Sequence, residues 1–598
     1  MKYLFKHNNH TDYSSNPPAV IPSVSWCNYE DEIHWGADKT YDEQYFTIES
    51  LDDNNIISIT QGTQTNTVTL QISKDLGNTW ETAITTVPET TTQLTTLNYG
   101  ERAIIKGINA TFTTDGTLAG GIHFNTSKRI NISGNIGSLV YGDNFASQTA
   151  LPNSNYIFRG LFGTDATTHE NGEILTKVVD ASKLVLLNPT GTHAYAYMFH
   201  YCTTLKNIPQ HYTSSLQAYT YQYLFYGCTG LTNIHIELPA TVLKAGCYQS
   251  MFSSCTNLIS APTFTIGTAA TGCCYSMFYM CESLLSENTN ITINATATYE
   301  NCYRSMFNGC TSLTTCPISS LPATTINKYS YAYMFQDCTN MTTVPTMTIG
   351  KINSTYTMVS MFENCTSLVT IPTNTIKLNS TSQAAQSYYR LFKGCINLVD
   401  SGITTIASTG CGQYSYAEMF MNCSKLMVAP SFTCNSQGNT YGYQSMFQGC
   451  TVLPEVNCQL NATSLQNYCY RYMFKNCKAI TRIPQNKLPA TTLVTQCYHS
   501  MFDGCTNLTV APELPALTLI ANGACYSYMF RNTNVMSIKA AFTTTPSSSV
   551  SNEWLKGVPN ESSRTFYKNV NATWTTRGIQ SVPTNWTIVL YDPDEETT

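Results

Sequence analysis

A Met-Phe or Leu-Phe pair recurs thirteen times along the chain, at Phe199, Phe225, Phe252, Phe278, Phe307, Phe335, Phe362, Phe392, Phe420, Phe447, Phe474, Phe502 and Phe530. The intervals run from 26 to 30 residues. A unit that short cannot bury its apolar face alone, so it must stack on its neighbours, and the expected architecture is a solenoid. Composition agrees. Only 11% of the 598 residues are charged against 42% apolar and 12% aromatic, which excludes a disordered chain and supplies ample core. A net charge of -6 without any run of Lys or Arg leaves no electrostatic footprint for nucleic acid or an anionic membrane surface. Met1-Lys2-Tyr3-Leu4-Phe5 opens no apolar run of the length a secretory signal needs, and no later stretch approaches a membrane span.

Aligned on the Phe, the repeat carries Tyr at -4 in eleven copies, Met at -1 in eleven, and Cys at +3 in twelve. The Cys positions are Cys202, Cys228, Cys255, Cys281, Cys310, Cys338, Cys365, Cys395, Cys423, Cys450, Cys477 and Cys505; Thr533 takes the place in the last copy. Offsets of -4, -1, 0 and +3 form one stripe of an amphipathic helix, so two helical turns are expected per repeat. At +6 every copy is apolar, from Leu205 to Met536. The intervening Gly-Cys-Thr or Asn-Cys-Thr tolerates left-handed backbone, and Pro at +10 in eight copies stops any continuation. Segments such as Leu313-Thr-Thr-Cys-Pro317 alternate apolar and polar residues and are expected to be rungs of a parallel ladder. A second extended stretch is expected where Leu-Pro-Ala-Thr recurs, at Leu321 and Leu488. The fold expected is therefore an α/β repeat solenoid, one short helix and short strands per repeat, with a β-rich amino-terminal region and a small carboxy-terminal cap.

The pattern Tyr-x-x-Met-Phe-x-x-Cys-x-x-Leu, often followed by Pro and Leu-Pro-Ala-Thr, resembles the BspA-type leucine-rich repeats over about residues 190 to 545. Such repeats belong to surface proteins of gut and oral bacteria and to phages that infect gut Bacteroidetes. The resemblance implies adhesion or recognition, without assigning a ligand.

Four segments are expected: a β-rich region over 1–150, a degenerate first copy and insertion over 151–190 around Ile157-Phe158-Arg159-Gly160-Leu161-Phe162, the repeats over 191–545, and a cap over 546–598 in which Trp554, Trp574 and Trp586 cover the open end. Ser73-Lys74-Asp75-Leu76-Gly77-Asn78-Thr79-Trp80 matches an Asp-box, in which Ser73 and Asp75 brace a β-turn at Gly77 and Trp80 packs beneath. It occurs once, in a region too short for a propeller, so a structural hairpin is expected.

No catalytic, cofactor or metal residue is expected. The cysteine ladder lacks Cys-x-x-Cys spacing and reads as small buried spacers with free thiols; stacked helices would hold successive Cα atoms a helix diameter apart, beyond disulfide reach. A second partial ladder runs through Cys247, Cys273, Cys302, Cys469, Cys497 and Cys525. The ten histidines are scattered, and there is no Gly-x-Ser-x-Gly elbow or phosphate loop. With the repeat stripe buried, the outside is left to Thr, Ser, Asn and Gln with scattered tyrosines such as Tyr212, Tyr219 and Tyr441. That surface suits broad polar contact with glycans or proteins. A surface adhesin of bacteria would begin with a signal peptide, and a virion protein needs none. The function expected is thus a non-enzymatic phage virion protein, tail- or fibre-associated, contacting other virion proteins or a host glycan or protein, with self-association allowed. A bacterial cell-surface adhesin is the alternative, and a glycan-degrading enzyme the third reading.

Overall fold

The computed structural model describes residues 44–593 except 110, 118–119, 164–176, 353, 379–383, 407–410, 434–439, 456–457 and 484–487. Residues 1–43 of the expected β-rich region, His7 and His10 among them, and the 164–176 part of the expected insertion lie outside the described residues.

Ile-, Val- and Thr-rich sequence forms the amino-terminal strands, several of which are buried over most of their length. They are β1 (Phe46–Ser50), β2 (Asn55–Gln61), β3 (Thr69–Ser73), β4 (Ile84–Thr85), β5 (Thr90–Leu97), β6 (Arg102–Gly107), β7 (Ile122–Thr126), β8 (Arg129–Asn135) and β9 (Lys177–Val185). One sheet has the order β4-β3-β6-β1-β8-β9 and the other β5-β2-β7. Their inner faces meet through Ile48, Ile57, Ile59, Ile105 and Ile132, and Phe46 lies 5.7 Å from Phe124. All pairs are antiparallel except β8–β9. That one parallel pairing lets β9 pass the sheet on: Ala181 N–H donates to Asn207 O at 2.9 Å, so the first repeat covers what would be an open sheet edge.

The repeats contain no α-helix among the described residues, which corrects the expected α/β class; the helical segments are Ser138–Tyr141, Gly142–Ser147, Ser286–Asn288 and Ser548–Ser551, none of them at the Met-Phe motif. In its place runs a ribbon of overlapping β-turns. In the first copy Met198, His200 and Cys202 donate three residues back, to Tyr195, Tyr197 and Phe199. The alternate residues Tyr195, Tyr197, Phe199 and Tyr201 donate to Thr220, Gln222, Leu224 and Tyr226 of the next copy at 2.7–3.1 Å. Positive φ recurs every four residues, at -6, -2 and +2 in all thirteen copies, as at His193, Tyr197 and Tyr201. Turns closed across such a residue are of the type II kind.

The physical reason for the ribbon is spacing. Parallel rungs lie about 4.8 Å apart, whereas packed helices need about 8–10 Å, so a helix in every copy would splay the rungs. The ribbon keeps step with them. Its four-residue period places -4, -1, 0 and +3 inward, the same offsets as a helical stripe, and for that reason periodicity alone misread it. The inward set is buried in every copy: Tyr195, Met198, Phe199 and Cys202 all have 0% exposure. The Phe rings form one continuous stack, with centroids 5.4–5.8 Å apart and planes within 22°. Phe162 of the degenerate copy extends it, 5.5 Å from Phe199 and 5.7 Å from Phe124 of β7. The +6 residues are buried through Leu508, but in the last copy Val535 is buried and Met536 is 44% exposed.

Beyond +6 each copy contributes short parallel pairings. Thr370, Asp400 and Val428 bridge in sequence. Thr263–Ile266 lies between Glu237–Leu238 and Ile291–Ile293, and Thr346–Ile349 between Ser320–Leu321 and Ile376–Leu378. Like residues face like: Leu321 pairs Met347, which pairs Ile376. The ladder does not stop at residue 545. Ser537–Ala540, Thr565–Asn569 and Thr587–Tyr591 form a parallel sheet, Phe530 N–H donates to Trp554 O at 2.9 Å, and Trp554, Trp574 and Trp586 are buried against its end.

Phe335→Ala, in mid-stack, is expected to cost about 3–5 kcal/mol in urea unfolding, the scale for a buried Phe. A loss below about 1 kcal/mol, nearer the scale of surface substitutions, would show that the stack carries no stability. Gly504 has φ 77 and its added Cβ would collide with the Asn476 side chain of the preceding copy, so Gly504→Ala is expected to lower stability by about 1 kcal/mol or more in the same assay.

Candidate functional site

The inward positions are structural in a specific way. Each of the twelve ladder thiols donates to the carbonyl of the Phe one copy earlier, at Sγ–O distances of 3.0–3.3 Å. Thr533, without a thiol, donates to Phe530 O at 2.8 Å within its own turn. The described cysteines are free, yet the reason expected for this is not the one found. Copies hydrogen-bonded to one another sit a strand spacing apart, about 4.8 Å, well inside the Cα range for disulfides. Orientation keeps the thiols apart, since each is aimed at a carbonyl. Burial pushes Cys255 up to about 12 and raises Cys202 and Cys228 as well, which removes the reactive thiolate. Among the described residues no group of three or more His, Cys, Asp or Glu could hold a metal ion.

The Asp-box residues come together as a hairpin turn between β3 and β4. Ser73 Oγ donates to Asp75 Oδ1 at 2.7 Å and accepts from Gly77 N–H at 2.8 Å. Asp75 accepts from Thr79 N–H at 2.8 Å and from Thr79 Oγ1 at 2.6 Å, and Gly77 takes φ 88. Trp80 is half-buried, edge-on to Tyr45 at 5.2 Å with Lys106 Nζ 4.0 Å above its ring. The Thr79 bonds, then Ser73, hold the Asp75 carboxyl down to about 2.

What the ribbon offers outward is the set at -6, -2 and +2 with the residues between them. Tyrosines there form stacks: Tyr414, Tyr441 and Tyr468 at 4.5 Å steps, and Tyr197 on Tyr223 at 4.7 Å. Arginines lie over them, Arg304 at 4.6 Å from Tyr329 and Arg471 at 4.5 Å from Tyr472. Other charges on this side pair with each other. Glu418 accepts from Arg390 at 2.9 Å and Lys393 at 2.7 Å, and Asp503 takes a forked bond from Arg531 at 2.9 and 2.6 Å. Burial would raise the Glu418 carboxyl, but Lys393 and Arg390 outweigh it and carry it below the usual value. Of the tyrosines expected outside, Tyr219 and Tyr441 belong to the outward ladder, whereas Tyr212 is buried against Tyr221. The outward ladder itself was missed by reading inward offsets alone; an alignment of the -2 residues, Tyr197, Tyr223, Ser250, Ser276, Ser305 and Tyr333, carries its signal.

Models of known families match this region. The BspA type Leucine rich repeat region matches residues 183–304, 360–509 and 416–553 in six copies, together more than half of the chain. The chain belongs to the BspA-type leucine-rich repeat family. A second family, described as a Mycoplasma protein of unknown function, matches 247–375 and 273–401, so the two descriptions between them span the BspA-type repeats without a gap. No curated protein and no solved structure gives a match. BspA-type repeats suggest a surface or adhesion-type protein. Among the described residues no helix is long and apolar enough to cross a membrane.

Alkylation with iodoacetamide at mildly alkaline pH is expected to leave all twelve ladder thiols unmodified in the native protein and to modify all of them in concentrated guanidinium chloride, read by peptide mass spectrometry; rapid native labelling would contradict the burial. The Asp75 carboxyl is depressed in the folded chain, so its stabilisation is complete above its ordinary value of 3.8 and lost as pH falls toward about 2. The stability difference between wild type and Asp75→Asn is expected to be constant above pH 3.8 and to shrink toward pH 2. Urea titrations at stepped pH check this, and a difference independent of pH would contradict it.

Proposed function

We propose that this chain is a non-enzymatic adhesion protein whose BspA-type repeat stack is the contact surface, and that it serves as a tail- or fibre-associated subunit of a phage virion. The observation that carries the adhesion reading is the division of labour within the ribbon. Every inward position is used for stacking, while the outward positions vary from copy to copy among Tyr, Ser, Asn, Gly and paired charges. A scaffold of repeated geometry with a variable outer row is the arrangement of repeat proteins that bind along an extended face. Because its charges are few and several of them are paired on the protein, the surface would rely on short-range hydrogen bonds and aromatic contact, with little long-range steering. Many weak contacts of that kind gain from repetition, which suits a multicopy particle or a cell surface.

The virion form of this reading is supported by the way the β-rich region joins the repeats. β9 pairs within the first sheet and with the first repeat, and the Phe stack begins at Phe124 in the second sheet. A sandwich and a repeat stack sharing one sheet and one core transmit force without a hinge, as an attachment module and a projecting arm must. The family favours a second reading, a bacterial cell-surface adhesin, since its repeats accompany surface proteins. Mass spectrometry of density-purified particles, set against surface labelling of intact cells, separates the two. Enrichment with the particle fraction is expected; recovery solely from the labelled cell surface would overturn the virion assignment and leave the adhesin.

A further inference from the structure

The outward row holds a built depression. At the -2 position Tyr197 and Tyr223 are followed by Ser250, Ser276 and Ser305 before Tyr333 resumes the row. Three serines in succession, all with φ of 52 to 54, leave a gap of about 530 Å³ between the flanking tyrosines, whereas the serines further along the row, Ser360, Ser445 and Ser500, each stand alone. That volume lies within the range of small-molecule sites, about 300–1,000 Å³. Between the flanking tyrosines at 223 and 333 the gap crosses four copy steps, about 19 Å at strand spacing, which fits a short chain of linked rings better than a single compact ligand.

Its lining divides into walls and floor. Tyr226 forms one wall, held by His200 at 5.1 Å and by Tyr201 edge-on at 5.3 Å; Tyr275 and Tyr279 line the depression too, and Tyr279 is 37% exposed. The floor is Ser250, Ser253, Ser276 and Ser305, with exposures of 4%, 1%, 9% and 8%. None of these four hydroxyls has a hydrogen-bond partner among the described residues. The serine residues are at least nine-tenths buried, and their hydroxyls, unclaimed by the protein, are available to a ligand seated in the depression. No carboxylate, Lys or Arg lines it.

We propose that this depression is a binding site for an uncharged oligosaccharide. A pyranoside carries both features the lining asks for: apolar C–H faces that lie against tyrosine rings, and hydroxyls that donate and accept as serine hydroxyls do. An anionic or sulfated glycan would find no Lys or Arg in the lining, and the neighbouring Arg304 is already engaged by the rings of Tyr275, Tyr329 and Tyr333. This site rests on the adhesion reading above and names the class of receptor that reading leaves open.

The test uses the full chain and a panel of neutral gluco-, manno-, galacto- and xylo-oligosaccharides, with heparin oligosaccharides and polysialic acid as charged controls, followed by isothermal titration calorimetry. Ser276→Tyr restores to the gap the residue found at Tyr223 and Tyr333, whose φ values of 55 and 59 match the 53 of Ser276, so it fills the site without asking anything new of the backbone. Tyr279→Ala removes an exposed wall. At least one neutral probe is expected to bind, with the charged controls silent, and each variant is expected to lose about tenfold or more in affinity, the scale of one aromatic contact. Binding of neutral probes unchanged by both variants, binding of the charged controls alone, or capture of a host protein with no saccharide bound would each overturn the site. Adhesion is scored separately on host cells. Equal adhesion of wild type and Ser276→Tyr sinks the depression as receptor site and spares the adhesin, whereas saccharide binding lost in Ser276→Tyr with no cell adhesion by wild type spares the site and sinks the adhesin.

Discussion

Everything in this molecule depends on neighbouring copies lying one hydrogen-bond spacing apart. Alternate N–H groups of the turn ribbon reach the next copy at 2.7–3.1 Å in the first pair, and the Phe rings then have no choice but to stack. Such a ribbon accepts about 1–2 kcal/mol of left-handed backbone strain at each non-glycine positive-φ residue. The strain is offset because nearly every N–H of the ribbon has a partner, either three residues back or one copy on, and because an unbroken aromatic spine is buried beneath it. No copy is stable alone, and none can be lengthened into a helix without forcing its neighbours apart.

The same constraint explains residues that look merely repetitive. Cysteine suits +3 because it is small enough for the interior and its S–H can serve the Phe carbonyl of the copy below. The alternation of Asn and Gly at +2, as in Asn364, Gly394, Asn422, Gly449, Asn476 and Gly504, follows from each Asn leaning over the next copy's Gly. With inward positions so fully committed, variation is confined to the outer row. Tyrosine stacks, paired charges and the serine gap all lie there, and any specificity of contact has to be written in those residues.

The repeat boundaries, the buried identities at -4, -1, 0 and +3, the tolerance for left-handed backbone beside the Cys, and the Asp-box turn were all legible as patterns in the chain. The helix was not, because a ribbon with period four and a helix with period 3.6 bury the same offsets over eight residues, and only the hydrogen bonds distinguish them. Tyr212 was assigned to the surface on residue type; its ring packs edge-on to Tyr221, a partner from the next copy that local sequence cannot name. The outer serines are silent in the sequence, since a single Ser in a turn carries no signal until its neighbours in space are known.

By itself the sequence determined that thirteen units would stack, which side of each would be buried, and that the surface would be hydroxyl-rich and poor in free charge, because those properties follow from spacing and residue chemistry. Tertiary structure decided the rest. Whether a copy advances by a helix diameter or a strand spacing, which thiol meets which carbonyl, and where three serines align into a gap between tyrosine walls are all matters of registration between copies some 28 residues apart. That registration is set by hydrogen bonds between backbones, and backbone groups are the one part of a chain that its sequence does not vary.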